Sequence, residues 1–391
     1  MKNLLSILFL TTFVYSISFS QSSIEDLQDG YLNTITTAVP FLIISPDARA
    51  GGMGDVGVAS SPDAMSLHWN PAKYAFVEDD FGASVSYTPW LKSLIPDINL
   101  SYLSLYSKRS NNEVLAFSLR YFTLGEINFT DINGVNIGSF NPNEFSFSSA
   151  YALKLSNNFS SAVSLRYIYS NLTGGQEVGT LPTKAGNSVA GDISSYYVQN
   201  VRLGKKDFKW ASGINISNIG VKIAYTETID RDFLPTNLRI GTSLSTDIDE
   251  FNSISFEVDI NKLLVPTPPL YNSDGILTSG KDPDVSVIEG IFQSFSDAPF
   301  GDREVRELIY ALGSEYWYDE QFALRLGYFY EHPTKGDRQF VSLGAGLRYN
   351  VFGLDFSYLI PIQNREDAGV INPLSNTLRF ALTFDFGAIE G

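Results

Sequence analysis

Residues 378–386, LRFALTFDF, set large apolar side chains against small or polar ones at every second position. Side chains of a β-strand alternate between the two faces of a sheet, so this stretch predicts a strand with one apolar face. The same alternation recurs at residues 81–87, 115–121, 145–155, 163–169, 254–260, 322–328 and 352–358. Alternation alone does not separate a membrane barrel from a soluble sandwich, because both bury one face of each strand.

The lengths of the connections between these strands separate the two architectures. Short connections fall near residues 108–112, 156–158, 204–207, 247–252, 318–320 and 350–351, and longer ones lie between them at 124–142, 171–192, 227–235, 264–306, 331–337 and 361–375. Outer-membrane barrels pair short periplasmic turns with long extracellular loops in this way. The sequence therefore predicts an all-β fold, a transmembrane antiparallel β-barrel of about 14 strands over residues 81–391, with a long extracellular loop at about 264–306. This count treats residues 208–217 and 221–225 as one strand kinked at Gly220.

Composition narrows the possible functions. The chain of 391 residues has 28 Phe, 21 Tyr and no Cys, and its formal net charge is −16. Without cysteine, disulfides, thiol nucleophiles and Cys-ligated metal sites are excluded. The acidic balance argues against nucleic acid as a partner, because phosphate binding needs basic patches.

The first 80 residues lack a sustained alternation of apolar and polar residues. Lys2 precedes an apolar stretch at residues 4–15, and Ser18-Phe19-Ser20 offers small residues for cleavage, so residues 1–20 are predicted to be a cleaved signal peptide. Residues 21–80 are rich in Gly, Pro, Ser and Asp and precede the first predicted strand. We interpret them as a plug or hatch segment of a barrel that is exported to the cell outer membrane.

The candidate catalytic motifs are weak. Gly52-Met53-Gly54-Asp55-Val56-Gly57 matches a dinucleotide-binding pattern, but that pattern needs a βαβ unit around it and none is predicted. A tightly turned, close-packed backbone is the better interpretation. His68 and His332 are the only histidines and have no partner at metal-ligand spacing. We expect no enzymatic activity, no catalytic residues, no cofactor and no metal.

Charged residues fall on the predicted lumen face of several strands. Two interpretations apply: an ion-paired network that fills the barrel, which we favour, and a channel lining that sets selectivity. The residues concerned are Arg120, Arg166, Arg239, Arg325, Arg348, Arg379, Glu257, Asp259, Asp355 and Asp385.

The long loop contains a proline-stiffened apolar stretch, followed by apolar residues at helical spacing. An apolar helix face above the membrane must be buried, either over the barrel mouth or against another protein. The candidate partner-binding residues are Leu264, Val265, Leu270, Ile288, Ile291, Phe292 and Phe295.

Within the plug segment, residues 40–59, PFLIISPDARAGGMGDVGVA, form a distinctive run, followed by PDA at 62–64 and HWNPAKY at 68–74. Together with LPTNLRIG at residues 234–241, this run resembles the PorV (LptO) family of the type IX secretion system. The Asn-Pro-Ala element is shared more widely with FadL-type barrels. The hatch signature residues are Asp47, Arg49, Gly52, Gly54, Asn70 and Pro71.

The resemblance implies a non-enzymatic shuttle in the outer-membrane lipid. Such a shuttle receives secreted proteins by their C-terminal signal domains beside a translocon of the SprA or Sov type. It delivers them to a cell-surface attachment complex that holds a PorU-type sortase. The alternative implied by the FadL likeness is a transporter of hydrophobic small molecules.

Overall fold

In a computed structural model, the described residues are 33–387, except 93–94, 96, 131–132, 134, 176, 179–180, 228–230, 300–303 and 363–371. Fourteen of the described strands close into one antiparallel barrel, in which each strand pairs with its sequence neighbours and the first pairs with the last. This confirms the predicted fold class and strand number. The predicted signal peptide, residues 1–20, lies outside the described residues.

The strands in chain order are β1 (Phe81–Pro89), β2 (Ile98–Ser110), β3 (Glu113–Leu124), β4 (Ile127–Thr130), β5 (Asn136–Phe140), β6 (Asn143–Lys154), β7 (Phe159–Asn171), β8 (Glu177–Val178), β9 (Leu181–Pro182), β10 (Gly186–Leu203), β11 (Lys206–Gly220), β12 (Asn237–Asp247), β13 (Asn252–Leu263), β14 (Leu270–Tyr271), β15 (Leu277–Ser279), β16 (Ile309–Tyr318), β17 (Phe322–Tyr330), β18 (Gln339–Tyr349), β19 (Phe352–Pro361) and β20 (Thr377–Phe386). Small hairpins β4–β5, β8–β9 and β14–β15 lie outside the barrel sheet. Short helices are α1 (Ala48–Gly51), α2 (Ser66–Trp69) and α3 (Val287–Gln293), with 3-10 turns at Pro40–Ile43, Pro71–Phe76 and Glu304–Glu307.

Strand alternation sorts the side chains as the period predicts. On β1, Ser84 and Ser86 are buried inside the barrel, whereas Val85 and Tyr87 stand exposed on its outer surface. Later strands repeat this arrangement, with exposed Leu and Phe outside and small or charged residues inside. An apolar outer belt around a polar interior is the arrangement of a barrel that lies in lipid. Among the described residues, no helix is long and apolar enough to cross a membrane.

Short and long connections lie at opposite ends of the barrel. One end has turns at 111–112, 155–158, 204–205, 248–251, 319–321 and 350–351, and the other has the connections 90–97, 125–142, 172–185, 221–236, 264–308, 331–338 and 362–376. The loop predicted at 171–192 is shorter than expected, because β10 already begins at Gly186. The strand predicted to continue through residue 225 ends at Gly220, just after Asn218 adopts a left-handed φ of 61°.

The apolar core lies between residues 33–80 and the inward face of the wall. One cluster joins Leu67, Ala72 and Tyr74 to Tyr106 and Tyr196 of the strands. A second joins Phe41 and Leu42, near the end with the long connections, to wall residues that include Leu100, Phe122 and Ile168. The plug is therefore part of the hydrophobic core of the barrel.

Candidate functional site: the plugged lumen and the long extracellular loop

Arg49 anchors the plug to the barrel wall. Its guanidinium donates to Glu315 on β16, with Nη2 and Nε 2.7 and 2.9 Å from the two carboxylate oxygens. Nη1 lies 2.9 Å from Asp63 within the plug. Glu315 also accepts from Nε of Arg325 at 2.7 Å, so one buried carboxylate holds two arginines. Asp47 accepts from the Arg49 backbone N–H and from the Trp69 indole, which fixes the turn that presents Arg49.

The Asn-Pro-Ala element makes a second attachment. Nδ2 of Asn70 donates to the carbonyls of Val58 and Ser195, both at 3.0 Å, so it joins two parts of the plug to β10. Its Oδ1 accepts from the Ala72 N–H and caps the 3-10 turn that begins at Pro71. Because Asn70 is fully buried, each of these hydrogen bonds replaces one that water would otherwise supply.

The Gly-rich motif of the plug packs against glycines of the wall. Gly54 has a φ of 75°. A Cβ on Gly327 of β17 would lie 1.9 Å from the backbone nitrogen of Gly54. Side chains at these wall positions would displace the plug backbone. The sequence predicted a close-packed backbone at this motif but missed the complementary row in the strands. That row is Gly213, Gly313, Gly327 and Gly344.

The inward charges bind the plug. Arg379 pairs with Asp55 at 2.6 Å, and Asp259 accepts from the backbone N–H groups of Gly57 and Val58. Arg120 donates to the Phe41 carbonyl at 2.8 Å. These contacts agree with the ion-paired network rather than with a channel lining. A cavity of about 390 Å³ remains below the plug, and Asp63, Glu78, Arg348 and Asp385 are among its lining residues.

The two histidines lie in different segments and have different hydrogen-bond partners. His68 is buried in the plug, with Nδ1 2.7 Å from an Arg120 nitrogen. Because arginine can only donate, Nδ1 must be the acceptor and His68 serves as a fixed partner of Arg120. His332 lies in the 331–338 connection, where Nδ1 is 2.9 Å from the Thr334 hydroxyl.

The base of the long loop is fixed to the barrel rim. Leu264 and Val265 are only 2% exposed, and the Leu264 N–H extends the strand ladder to the Thr236 carbonyl at 2.8 Å. The Thr267 hydroxyl donates to Glu307 at 2.6 Å, and its N–H donates to Asp297 at 3.0 Å. Leu264 and Val265, two of the candidate partner-binding residues, are therefore buried in the base of the loop. A third candidate, Leu270, is half-buried in the β14–β15 hairpin.

Asp297, Glu304 and Glu307 come together at spacings that could suit a metal ion. Lysines take that position instead: Lys262 lies 2.6 Å from Glu307 and 3.2 Å from Glu304, and Lys335 lies 2.8 Å from Glu307. Burial raises the pKa of Asp297 to about 6, and Glu307 and Glu304 add to the increase. Burial also acts to raise the pKa of Glu307, but Lys335 and Lys262 outweigh it and lower that pKa.

Helix α3 leaves its apolar side uncovered. Ser286 caps its first turn by accepting from the Glu289 N–H, and only Gly290 is buried, since a Cβ there would meet Phe233 and Pro266 at 3.0–3.1 Å. Ile288, Phe292 and Phe295 are 60%, 72% and 50% exposed, and Ile291 is half-buried. The predicted helix is present, and its apolar face does not pack over the barrel mouth.

A family model described as "Type IX secretion system protein PorV" matches residues 27–270, more than half of the chain. No curated protein matches the chain. Among solved structures, the Ralstonia pickettii toluene transporter TbuX is 11% identical, with a TM-score of 0.46 over 88% of this chain and 98% of that one. A Pseudomonas aeruginosa FadL homologue is 10% identical, with a TM-score of 0.41 over 90% and 99%. The chain belongs to the PorV family of type IX secretion system proteins.

Proposed function

We propose that the protein is a non-enzymatic outer-membrane shuttle of the type IX secretion system. It binds the C-terminal signal domains of secreted proteins at a translocon of the SprA or Sov type. It then delivers them to the attachment complex that holds a PorU-type sortase. The observation that carries this proposal is the PorV family match over residues 27–270.

The filled lumen supports a role for the outside of the molecule. Arg49, Asn70 and the Gly-rich motif tie the plug to the wall through buried hydrogen bonds and direct backbone contact. Removing such a plug would expose buried charges and break its core, which costs several kcal/mol for a single buried ion pair alone. A partner is therefore met at the loops or at the outer wall.

Helix α3 is the docking element that we assign to this role. Ile288, Phe292 and Phe295 present exposed apolar area, while the buried base at Leu264 and Val265 holds the loop in place. Large aromatic side chains held on a fixed support are the residues that most often dominate binding energy in protein interfaces. Phe292, the most exposed of the three, is the first residue to test.

Transport of hydrophobic small molecules has weaker support. Such a transporter needs an apolar pocket with a route through the barrel. The cavity below the plug is instead bordered by Asp47, Arg49, Asp63, Arg348 and Asp355. No observation in the described part of the chain favours this second function.

Deletion of the gene tests the proposed function directly. We expect proteins with type IX C-terminal signals to accumulate inside the cell and to disappear from the surface and medium. Complementation with the wild-type gene restores their release. Normal secretion by the deletion strain would contradict the shuttle role.

Substitution of Phe292 tests the docking element. We expect Phe292→Asp to reduce co-purification of the translocon about tenfold or more, since truncating a central aromatic anchor often costs about 2 kcal/mol or more. Phe251→Asp is the matched control, because Phe251 is also more than half exposed but lies in the 248–251 turn at the other end of the barrel. Both variants should insert normally, as judged by heat-modifiable mobility. Wild-type recovery with Phe292→Asp would remove α3 from the proposal and leave the shuttle role standing.

A further inference from the structure

An apolar groove lies on the outer wall of the barrel, beneath the beginning of α3. Its volume is about 660 Å³, within the range of about 300–1,000 Å³ that is usual for ligand sites. Strands β7 and β10 contribute outward-facing Leu165 and Val189, and Val221 follows the end of β11; all three are at least half exposed. The loop contributes Val285, Val287 and Ile288.

The groove exists because one outward position has no side chain. On β10, Gly191 pairs with Leu165 of β7 on one side and with Ile219 of β11 on the other. A residue with a side chain would continue the outer belt between these two large neighbours. Glycine leaves a notch there. The pairing of β10 with β11 shifts register between Gly191 and Ile193, so the regular outer surface is interrupted at the same place.

The groove is closed towards the lumen. Behind it, Asp192 lies 3.0 Å from Nη2 of Arg166 and accepts from the Asn218 N–H at 2.8 Å. Asp192 and Asn218 are almost completely buried, and they occupy the gap that the bulge makes in the strand ladder. A ligand in the groove therefore stays outside the barrel, and the site is distinct from any route through the lumen.

The surroundings of the groove specify its occupant. Leu165 and Val189 belong to the outer belt, so the groove opens onto the acyl region of the membrane. Lys222 and Arg231 line it beyond the extracellular end of β11, where headgroups lie. Lys222 pairs with Asp284 at 3.9 Å, and that carboxylate is 96% exposed. Apolar walls below two cations fit an amphiphile with acyl chains and a phosphate headgroup.

We propose that this groove binds an anionic phospholipid, with an acyl chain in the notch at Gly191 and the phosphate at Lys222 and Arg231. The bound lipid contacts Ile288 and supports the start of α3, so Phe292 and Phe295 are the residues of the docking element that stay available to a protein partner. Phe292 and Phe295, further along the loop, remain uncovered. This inference does not depend on the shuttle role.

Photolabelling in vesicles tests the site. The protein is reconstituted in phosphatidylcholine with a small fraction of phosphatidylglycerol that carries a photoreactive acyl chain, and the labelled peptides are mapped. We expect label on β10, β11 and residues 285–288 in clear excess over Leu343, which faces outward on β18. Equal labelling around the wall would overturn the proposal.

Two variants separate the acyl and headgroup contacts. Val189→Trp fills the groove from a lipid-facing position and should reduce labelling at least fivefold, whereas Val85→Trp, at an equally exposed position on β1, should not. Lys222→Gln with Arg231→Gln should reduce the preference for phosphatidylglycerol over a phosphatidylcholine probe by about fivefold per cation. Lys205→Gln, in the 204–205 turn, is the control for charge alone. Unchanged labelling in either test variant would overturn the proposal. Loss of a co-purifying protein with unchanged lipid labelling would also overturn it, and would assign the groove to a protein partner.

Discussion

The plug, residues 33–80, and the long loop, residues 264–308, both carry apolar and charged side chains that lie outside the barrel strands. In the plug, those side chains are buried: Arg49, Asn70 and Trp69 all have wall or plug partners within hydrogen-bond distance. In the loop, burial stops at the base, and Phe292 stands 72% exposed above it. The two regions differ in how much of their apolar surface the chain itself covers.

This difference indicates which of the two regions could bind a partner without breaking contacts within the chain. A buried polar network fixes one arrangement, because breaking any contact leaves an unpaired group in a dry site. An exposed apolar helix on a fixed base carries no such penalty and gains from being covered. The plug therefore stabilises the barrel, while the loop leaves apolar surface uncovered, in keeping with the docking role proposed for it.

The largest expected effect comes from breaking the network between plug and wall. Glu315→Gln removes the charge that holds Arg49 and Arg325, so two buried guanidinium groups lose their shared carboxylate. We expect a loss of about 3–5 kcal/mol in the free energy of unfolding, measured by denaturant titration in detergent micelles. Asp207→Asn is the control, because its partner Arg202 is 3.8 Å away and both are more than 70% exposed. A change of more than about 1 kcal/mol is not expected for that exposed pair. Equal effects of the two substitutions would contradict the assigned role of Glu315.

A somewhat smaller effect is expected from the glycine contact. Gly327→Ala places a Cβ 1.9 Å from the Gly54 nitrogen, and because the obstacle is backbone, the plug itself must move. Overpacking of this kind costs about 1–3 kcal/mol, and the loss should fall at the upper end of that range in the same titration. Gly387→Ala is the control, since its Cβ would meet nothing closer than Asp79 Oδ1 at 3.5 Å. If Gly327→Ala were as stable as that control, the plug would not rest on the wall as described.

The sequence predicts the barrel well and its interior contacts poorly, for a physical reason. Period-two alternation and connection length are local features, so each strand can be recognised on its own. The Arg49–Glu315 pair joins residues 266 positions apart, and no local pattern predicts which inward charge meets which plug residue. The loop shows the same limit: Leu264 and Phe292 are both apolar, but only the fold places one under the rim and the other in the open.

The smallest expected effect concerns the pH dependence of loop attachment. Burial raises the pKa of Asp297 from its ordinary 3.8 to about 6, so the folded loop favours the protonated acid. Its contribution to attachment is complete below pH 4 and is lost as the pH rises through about 6. Glu307 has a lowered pKa, and its contribution is present above its ordinary 4.5, so it stays constant from pH 5 to 8. Of these two acids, Asp297 is the one whose charge changes across that window.

Asp297→Asn should remove this dependence while keeping an oxygen that can accept from the Thr267 N–H. We expect the rate of protease cleavage in the wild-type loop to increase about two- to tenfold from pH 5 to pH 8. The cleavage rate of the variant should not change over that range. Rates are compared with those of Asp274→Asn at each pH, because Asp274 is exposed in the same loop and the ratio cancels the pH response of the protease. A variant as pH-dependent as wild type would mean that Asp297 does not loosen the base. A level variant would show that the loop contains a buried acid whose charge opposes its own attachment.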